Sequence, residues 1–275
     1  MASQQTNTQG SSKSRMPFVS GGAYMSNSSF YQAKATITDT AVMTKKSVNR
    51  ALDLSFGILI VFAFLGWIAS PKMAINSNDM SVNSAVHGFS GMLLLAIILS
   101  LVLGLIAAFQ TMPKPVLVLG YSAAEGFLVG TISKTYEMAY QGIVLTAILA
   151  TIAVVAASFV IYRSGLIKVN QKFMKFLSIS VLAYVILSVI NLILVAIGSM
   201  SGAGIFSTSF GPLISLLAII LGALMLVSDL AVIDQGIQTG QNIQFSWKCA
   251  FGIMLSVIWI YFEILRLLAL FNDRR

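Results

Sequence analysis

The chain has 275 residues, of which 57% are apolar and 9% charged, with a mean hydropathy of +0.88. An ordinary soluble domain carries about 25% charged residues, so these figures exclude a water-soluble globular enzyme, whose surface needs more ionic groups than this chain supplies. One cysteine, Cys249, and one histidine, His87, exclude an intramolecular disulfide, a Cys-based metal site and a multi-histidine centre.

Residues 1–40 are rich in Ser, Gln, Asn, Thr and Gly and have no apolar period, which predicts a disordered polar tail. The tail lacks the apolar stretch and small-residue cleavage site of a secretory signal, so the first hydrophobic helix is expected to direct insertion. Residues 41–275 form the second unit, a membrane domain. Seven hydrophobic runs follow one another there: 52–69, 91–109, 116–133, 143–162, 176–197, 212–232 and 249–271. Each is near the ~20 residues that span a hydrocarbon core. Their apolar character is continuous rather than alternating, which predicts helices and not a β-barrel. Turn chemistry separates them: Ser70-Pro71, Pro113-Lys114-Pro115, Arg163-Ser164-Gly165, Gly202-Ala203-Gly204 and Gly240-Gln241-Asn242. The fold class expected is an all-α polytopic membrane protein.

The formal charge of +8 is spread along the connectors, which argues for membrane orientation rather than a nucleic-acid partner. Twelve Lys and Arg fall on the N-terminal side of the runs. They are Lys13, Arg15, Lys34, Lys45, Lys46, Arg50, Lys114, Arg163, Lys168, Lys172, Lys175 and Lys248. Four fall on the other side (Lys72, Lys134, Arg274, Arg275), and Arg266 lies inside the last run. The positive-inside rule then puts the N-terminus in the cytoplasm. The C-terminal arginines would be exported if the last helix crosses fully, and would return to the cytoplasm if it is re-entrant.

An ionisable residue inside a membrane helix marks a functional-site hypothesis by default. Four carboxylates qualify: Glu125 in the third run, Asp229 and Asp234 at the end of the sixth, and Glu263 in the seventh. Asp53 sits at the start of the first run, where water or Arg50 reaches it, and Asp234 is read as an interfacial end marker. Asp229 and Glu263 are equidistant from residue 246. A non-helical connector over about 235–247 brings them to equal depth. A tight turn at Gly240–Asn242 offsets them by ten residues, roughly 15 Å at helical rise. In register, two carboxylates in low dielectric share a proton near neutral pH and, ionised, offer oxygens to Ca²⁺. The alternative is an intrahelical pair of Glu263 with Arg266, three residues on.

Gly126 and Gly130 form a small-xxx-small face beside Glu125, which suits close helix packing. Glu125 either hydrogen-bonds within the bundle or lines a cavity. Asn191 is expected to make an interhelical hydrogen bond, and Trp67, Trp247 and Trp259 are candidate interface anchors. Catalytic constellations are missing: the one histidine lies in a connector, and no Gly-x-Gly-Asp, HExxH, CxxC or phosphate-binding glycine loop occurs. The reading is of a non-enzyme without a resident cofactor.

Three stretches carry a family resemblance: Gly120-Tyr-Ser-Ala-Ala-Glu-Gly-Phe-Leu-Val-Gly, Ser228-Asp-Leu, and Trp259-Ile-Tyr-Phe-Glu-Ile-Leu-Arg-Leu-Leu. Over about four fifths of its length the chain resembles the Bax inhibitor-1 family, most closely a bacterial YccA-like branch. The resemblance implies seven helices with a central seventh surrounded by six. It also implies a pH-sensitive Ca²⁺ leak of the bacterial inner membrane, governed by paired acids on helices six and seven. The helix-six acid falls on Asp229. The helix-seven acid of the family's Tyr-x-Asp falls on Glu263, a Glu where Asp is usual. Leak members also carry an arginine after helix two that latches the helix-six acid. Here Gln110-Thr-Met-Pro-Lys-Pro supplies no arginine, leaving Lys114 or Arg266 as substitutes. The connector between the acids is longer than in those members. The second reading is a non-conducting interaction protein that modulates a membrane protease or stress survival through the tail. A secondary transporter is a weaker third.

Overall fold

The computed structural model describes residues 41–70, 80–198 and 204–273, with side chains of the second helix from Leu93 onward. The tail 1–40, the side chain of His87, Pro71, Lys72, Gly202, Ala203 and the terminal arginines Arg274 and Arg275 lie outside the described residues.

Seven α-helices follow in order: α1 Lys45–Ala69, α2 Met80–Phe109, α3 Pro115–Ala139, α4 Ile143–Ser164, α5 Gln171–Ala196, α6 Gly211–Gln238 and α7 Phe245–Asn272, with a 3₁₀ turn at Gly204–Ser207 before α6. Six of them are long and apolar enough to cross a membrane, and α2 adds the shorter apolar stretch Leu93–Phe109. Hydropathy finds each helix but not its polar ends. α1 starts seven residues before its apolar run because Thr44 and Ser47 close a capping box: the Thr44 hydroxyl accepts from the Ser47 amide and the Ser47 hydroxyl accepts from the Thr44 amide. α3 opens on Pro115, whose fixed φ suits a first helical turn. α6 runs past its apolar part to Gln238 and stops at Gly240, whose φ of 62° admits little else.

The connectors alternate between two ends of the bundle. At one end, residues 41–43 lie along the α6–α7 connector. Val42 and Asn242 form an antiparallel bridge, the Met43 amide donates to the Gln241 carbonyl at 2.7 Å, and the Ile243 amide donates to Ala41 at 3.0 Å. Met43 is buried against Val48, Phe245 and Cys249. At the other end, the Tyr140 hydroxyl, just after α3, donates to the Asp273 carboxylate, just after α7. That carboxylate raises the phenol's pKa. α7 is therefore a continuous helix of 28 residues running from end to end. Its length and apolar character suit a full crossing rather than a re-entrant loop.

α7 is the hub. Ile260, Tyr261, Ile264 and Leu265 pack with Ile219 and Leu226 of α6 and with Ile143 and Ala147 of α4. Its other side, Phe251, Met254 and Ile258, packs with Leu59 of α1 and Val118 and Tyr121 of α3. α5 is the opposite case: it buries just Met174 and Leu177. α1 and α3 meet backbone to backbone, as their glycines suggest. A Cβ at Gly66 would overlap the carbonyl of Phe127, one at Gly126 that of Leu59, and one at Gly130 that of Ala63.

This contact makes a prediction. Gly130→Val forces α1 and α3 apart and is expected to cost at least about 3 kcal/mol, the upper part of the overpacking range, because backbone rather than a side chain must yield. Gly57→Ala, where a Cβ meets nothing within 4 Å, is expected to be neutral or to stabilise by about 0.5 kcal/mol. Thermal unfolding in detergent compares the two, and equal melting temperatures would refute the close-packing account.

Candidate functional site: two separated acids around the last helix

The tight turn at Gly240 decides where the two acids lie. Asp229 of α6 faces the early part of α7. Its Oδ2 accepts from the Ser256 hydroxyl at 2.6 Å, and its Oδ1 lies over Gly252, where a Cβ would come within 2.9 Å of it. Glu263 is two turns further along α7, about 10 Å beyond Ser256 at 1.5 Å per residue. The connector is tight and the acids are offset along α7, by less than the ten residues a turn at Gly240–Asn242 predicts, and the two carboxylates bond to different partners. A Ca²⁺ site built from both is ruled out in this arrangement. Among the described residues no three His, Cys, Asp or Glu side chains converge as metal ligands.

Glu263 belongs to a closed triad. Its side chain is 6% exposed, and Arg266 bonds both of its oxygens, at 3.1 and 3.2 Å. The Tyr184 hydroxyl of α5 donates to the same carboxylate and accepts from Arg266 at 2.8 Å. The guanidinium also stacks 4.3 Å from the centre of the Phe206 ring. The intrahelical pair is thus realised, with a tyrosine from another helix completing it. Arg266 latches Glu263 and not Asp229. Lys114 is exposed at the N-cap of α3, where its side chain makes no capping bond.

Asp229 lines a cavity of about 370 Å³ between α5, α6 and α7. Lys248 lines it too, but its ammonium donates to the carbonyls of Ala107, Ala108 and Gln110 at 2.9, 2.6 and 3.0 Å. A cation on the unsatisfied carbonyls of a helix C-terminus is favourable twice, by hydrogen bonding and by the dipole. Lys248 therefore closes the end of α2. No Lys or Arg among the described residues forms an ion pair with Asp229 within 4 Å.

The secondary candidates have simpler partners. Glu125 of α3 accepts from the Ser100 hydroxyl of α2, the structural role of the two considered. Asp234 accepts from the Tyr162 hydroxyl at 2.5 Å and so joins α6 to the end of α4. It does more than mark a helix end. The Asn191 side chain accepts from the Ile205 amide at 2.6 Å and so holds the 3₁₀ turn. The Trp259 indole donates to the Ala218 carbonyl of α6 at 3.1 Å. Trp67 instead stacks under the Lys134 ammonium, 4.7 Å away.

Three site residues escaped the sequence reading. Tyr184 and Ser256 lie in long apolar runs that hold other polar residues, Ser178, Ser180, Ser188 and Asn191 in one and Trp259, Tyr261, Glu263 and Arg266 in the other, so nothing in the sequence set them apart. Lys248 counted only toward orientation, although its place in the first turn of α7 put it within reach of other helix ends. One consequence is measurable. Tyr184→Phe strips the triad of its hydroxyl and should destabilise by about 1–2 kcal/mol, whereas Glu263→Leu strands Arg266 and should cost about 3 kcal/mol. Thermal unfolding of the two variants in detergent checks the order, and a more stable Glu263→Leu variant would contradict it.

No curated protein and no solved structure matches the chain at the level of similarity required. A family model described as Bax inhibitor 1 like matches residues 2–273, nearly the whole length. The chain, a bundle of apolar helices, is thus a member of the Bax inhibitor 1-like family.

Proposed function

We propose that this chain is a pH-sensitive cation leak, with Ca²⁺ as a permeant ion, in a bacterial inner membrane. It crosses seven times with its N-terminus in the cytoplasm and performs no catalysis. The observation that carries the reading is Asp229: a carboxylate without an ion-pair partner among the described residues, lining a cavity inside a membrane bundle. A carboxylate in a membrane is costly and marks an ion or proton path by default. A leak needs a ligand strong enough to draw the ion in and weak enough to release it. One carboxylate backed by the Ser256 hydroxyl meets that requirement better than a chelating cage.

The pH response follows from competition. A proton and a cation contend for the same Asp229 oxygens, so the ionised acid attracts the ion and the protonated acid does not. The leak should therefore rise with pH. In this proposal Asp229 alone senses protons. Glu263, held by Arg266 and Tyr184, fixes α5 to α7.

The test is Ca²⁺ flux into proteoliposomes between about pH 6 and 8. Wild type should leak faster at the alkaline end. Asp229→Asn should flatten the pH profile and lower flux about tenfold, a difference of ~1.4 kcal/mol in ion binding. Glu263→Gln should keep the pH profile and lose stability instead. Equal loss of pH dependence in both variants would favour a coupled pair. Absence of flux above empty liposomes at every pH would overturn the leak and favour the interaction protein, which deletion of residues 1–40 would then probe.

A further inference from the structure

The cavity beside Asp229 is larger and more apolar than a passing inorganic cation requires. Its volume of about 370 Å³ falls in the range of small-molecule sites. Its walls are mostly apolar, with Leu177 and Val181 from α5, Met225 from α6, and Phe251 and Leu255 from α7. Into this space project one acid, Asp229, and the hydroxyl-bearing Ser178, Ser228 and Ser256. The cation that shares the cavity, Lys248, is bound to the last carbonyls of α2. Cys249 is the other titratable neighbour, and it is buried. An apolar chamber with a single unpaired carboxylate is the chemical complement of a molecule with a cationic head and an apolar body.

We propose that this cavity binds a lipophilic ammonium, with the amine on Asp229 and the apolar body along α5. A divalent ion finds one carboxylate here, against the six to eight oxygens Ca²⁺ takes when held. An ammonium needs one carboxylate and a hydroxyl acceptor, and its apolar body gains by leaving water. Gly252 contributes by absence, since a side chain there would press on Asp229 and close the acid off. Access fits the same chemistry. α5 is a thin wall: Met174 and Leu177 are buried, while Ile179, Leu182 and Ile186 are exposed where lipid would lie. A ligand already dissolved in the bilayer therefore has one loosely packed helix to pass. The amine has two conceivable sources, a free amphiphilic amine or an aminophospholipid headgroup, and both present the same ammonium. The site does not depend on conduction. If the leak exists, an occupant on Asp229 blocks it.

The experiment uses the full chain in phosphatidylcholine nanodiscs and reads thermal unfolding, not flux. Dodecylammonium, dodecanol and dodecyl sulfate are added at equal membrane fraction, so the chain is constant and the head charge varies. Dodecylammonium alone should raise the melting temperature, by about 3–5 °C at saturation. Asp229→Asn should abolish the rise. So should Leu182→Trp, which fills the chamber from the lipid side and leaves the acid intact. Replacing the phosphatidylcholine by phosphatidylethanolamine, without added amine, identifies the source: a rise that depends on Asp229 points to the aminophospholipid, and its absence beside a dodecylammonium response points to a free amine. Equal effects of all three amphiphiles, or a dodecylammonium response that survives in both variants, would overturn the proposal. A failed flux assay beside an Asp229-dependent shift would refute the leak and leave the site standing.

Discussion

Every polar group placed at membrane depth has to find its partner inside the protein, because lipid offers none. The last helix meets this constraint by sending its polar side chains to several different neighbours. Lys248 goes to the end of α2, Ser256 to Asp229 of α6, Trp259 to the Ala218 carbonyl of α6, Tyr261 to Ser133 of α3, and Glu263 with Arg266 to Tyr184 of α5. Between these directed contacts the helix is filled with apolar residues buried on all faces. Hydrophobic burial does not distinguish one lipid-compatible surface from another, so the polar contacts give α7 its depth and rotation in the bundle.

Hydropathy alone was enough to find all seven helices, since a continuous apolar run of membrane length has few other solutions. The α1–α3 contact was also readable, because Gly126 and Gly130 at helical spacing serve little purpose except close approach. What could not be read was depth. Whether Asp229 meets Glu263 depends on how many residues the α6–α7 connector leaves unwound, and Gln235-Gly236-Ile237-Gln238 mixes two glutamines, a poor helix former and an apolar residue, which sends no single signal. The structure winds them into α6 up to Gly240. A shift of two turns in register then separates two acids that symmetry about residue 246 would have joined.

Partner choice was legible only where it was local. Glu263 and Arg266 are three residues apart and could be paired on paper. Their third member, Tyr184, is about 80 residues away in a run whose periodicity carries no phase, being apolar on every side. Asn191 is similar: it accepts from a backbone amide of a short turn, a contact that no side-chain pattern announces. Lys248 shows a further limit. Counting it among the orientation charges was sound, yet its chemistry is specific, three carbonyls of one helix end that a capping residue would otherwise leave to water.

The separation of the acids has a mechanical consequence that runs through α5. Val181, Leu182 and Val185 of that helix line the chamber beside Asp229, and Tyr184, between them in sequence, reaches to Glu263 and stacks on Trp259 at 4.9 Å between ring centres. One turn of α5 therefore serves both acids, as the wall of the first and the clasp of the second. Because α5 buries so little else, the clasp is the main directed bond holding that wall against α7. The two carboxylates need not touch to be linked: the stretch of α5 that lines the chamber beside Asp229 is the one that Glu263 holds through Tyr184.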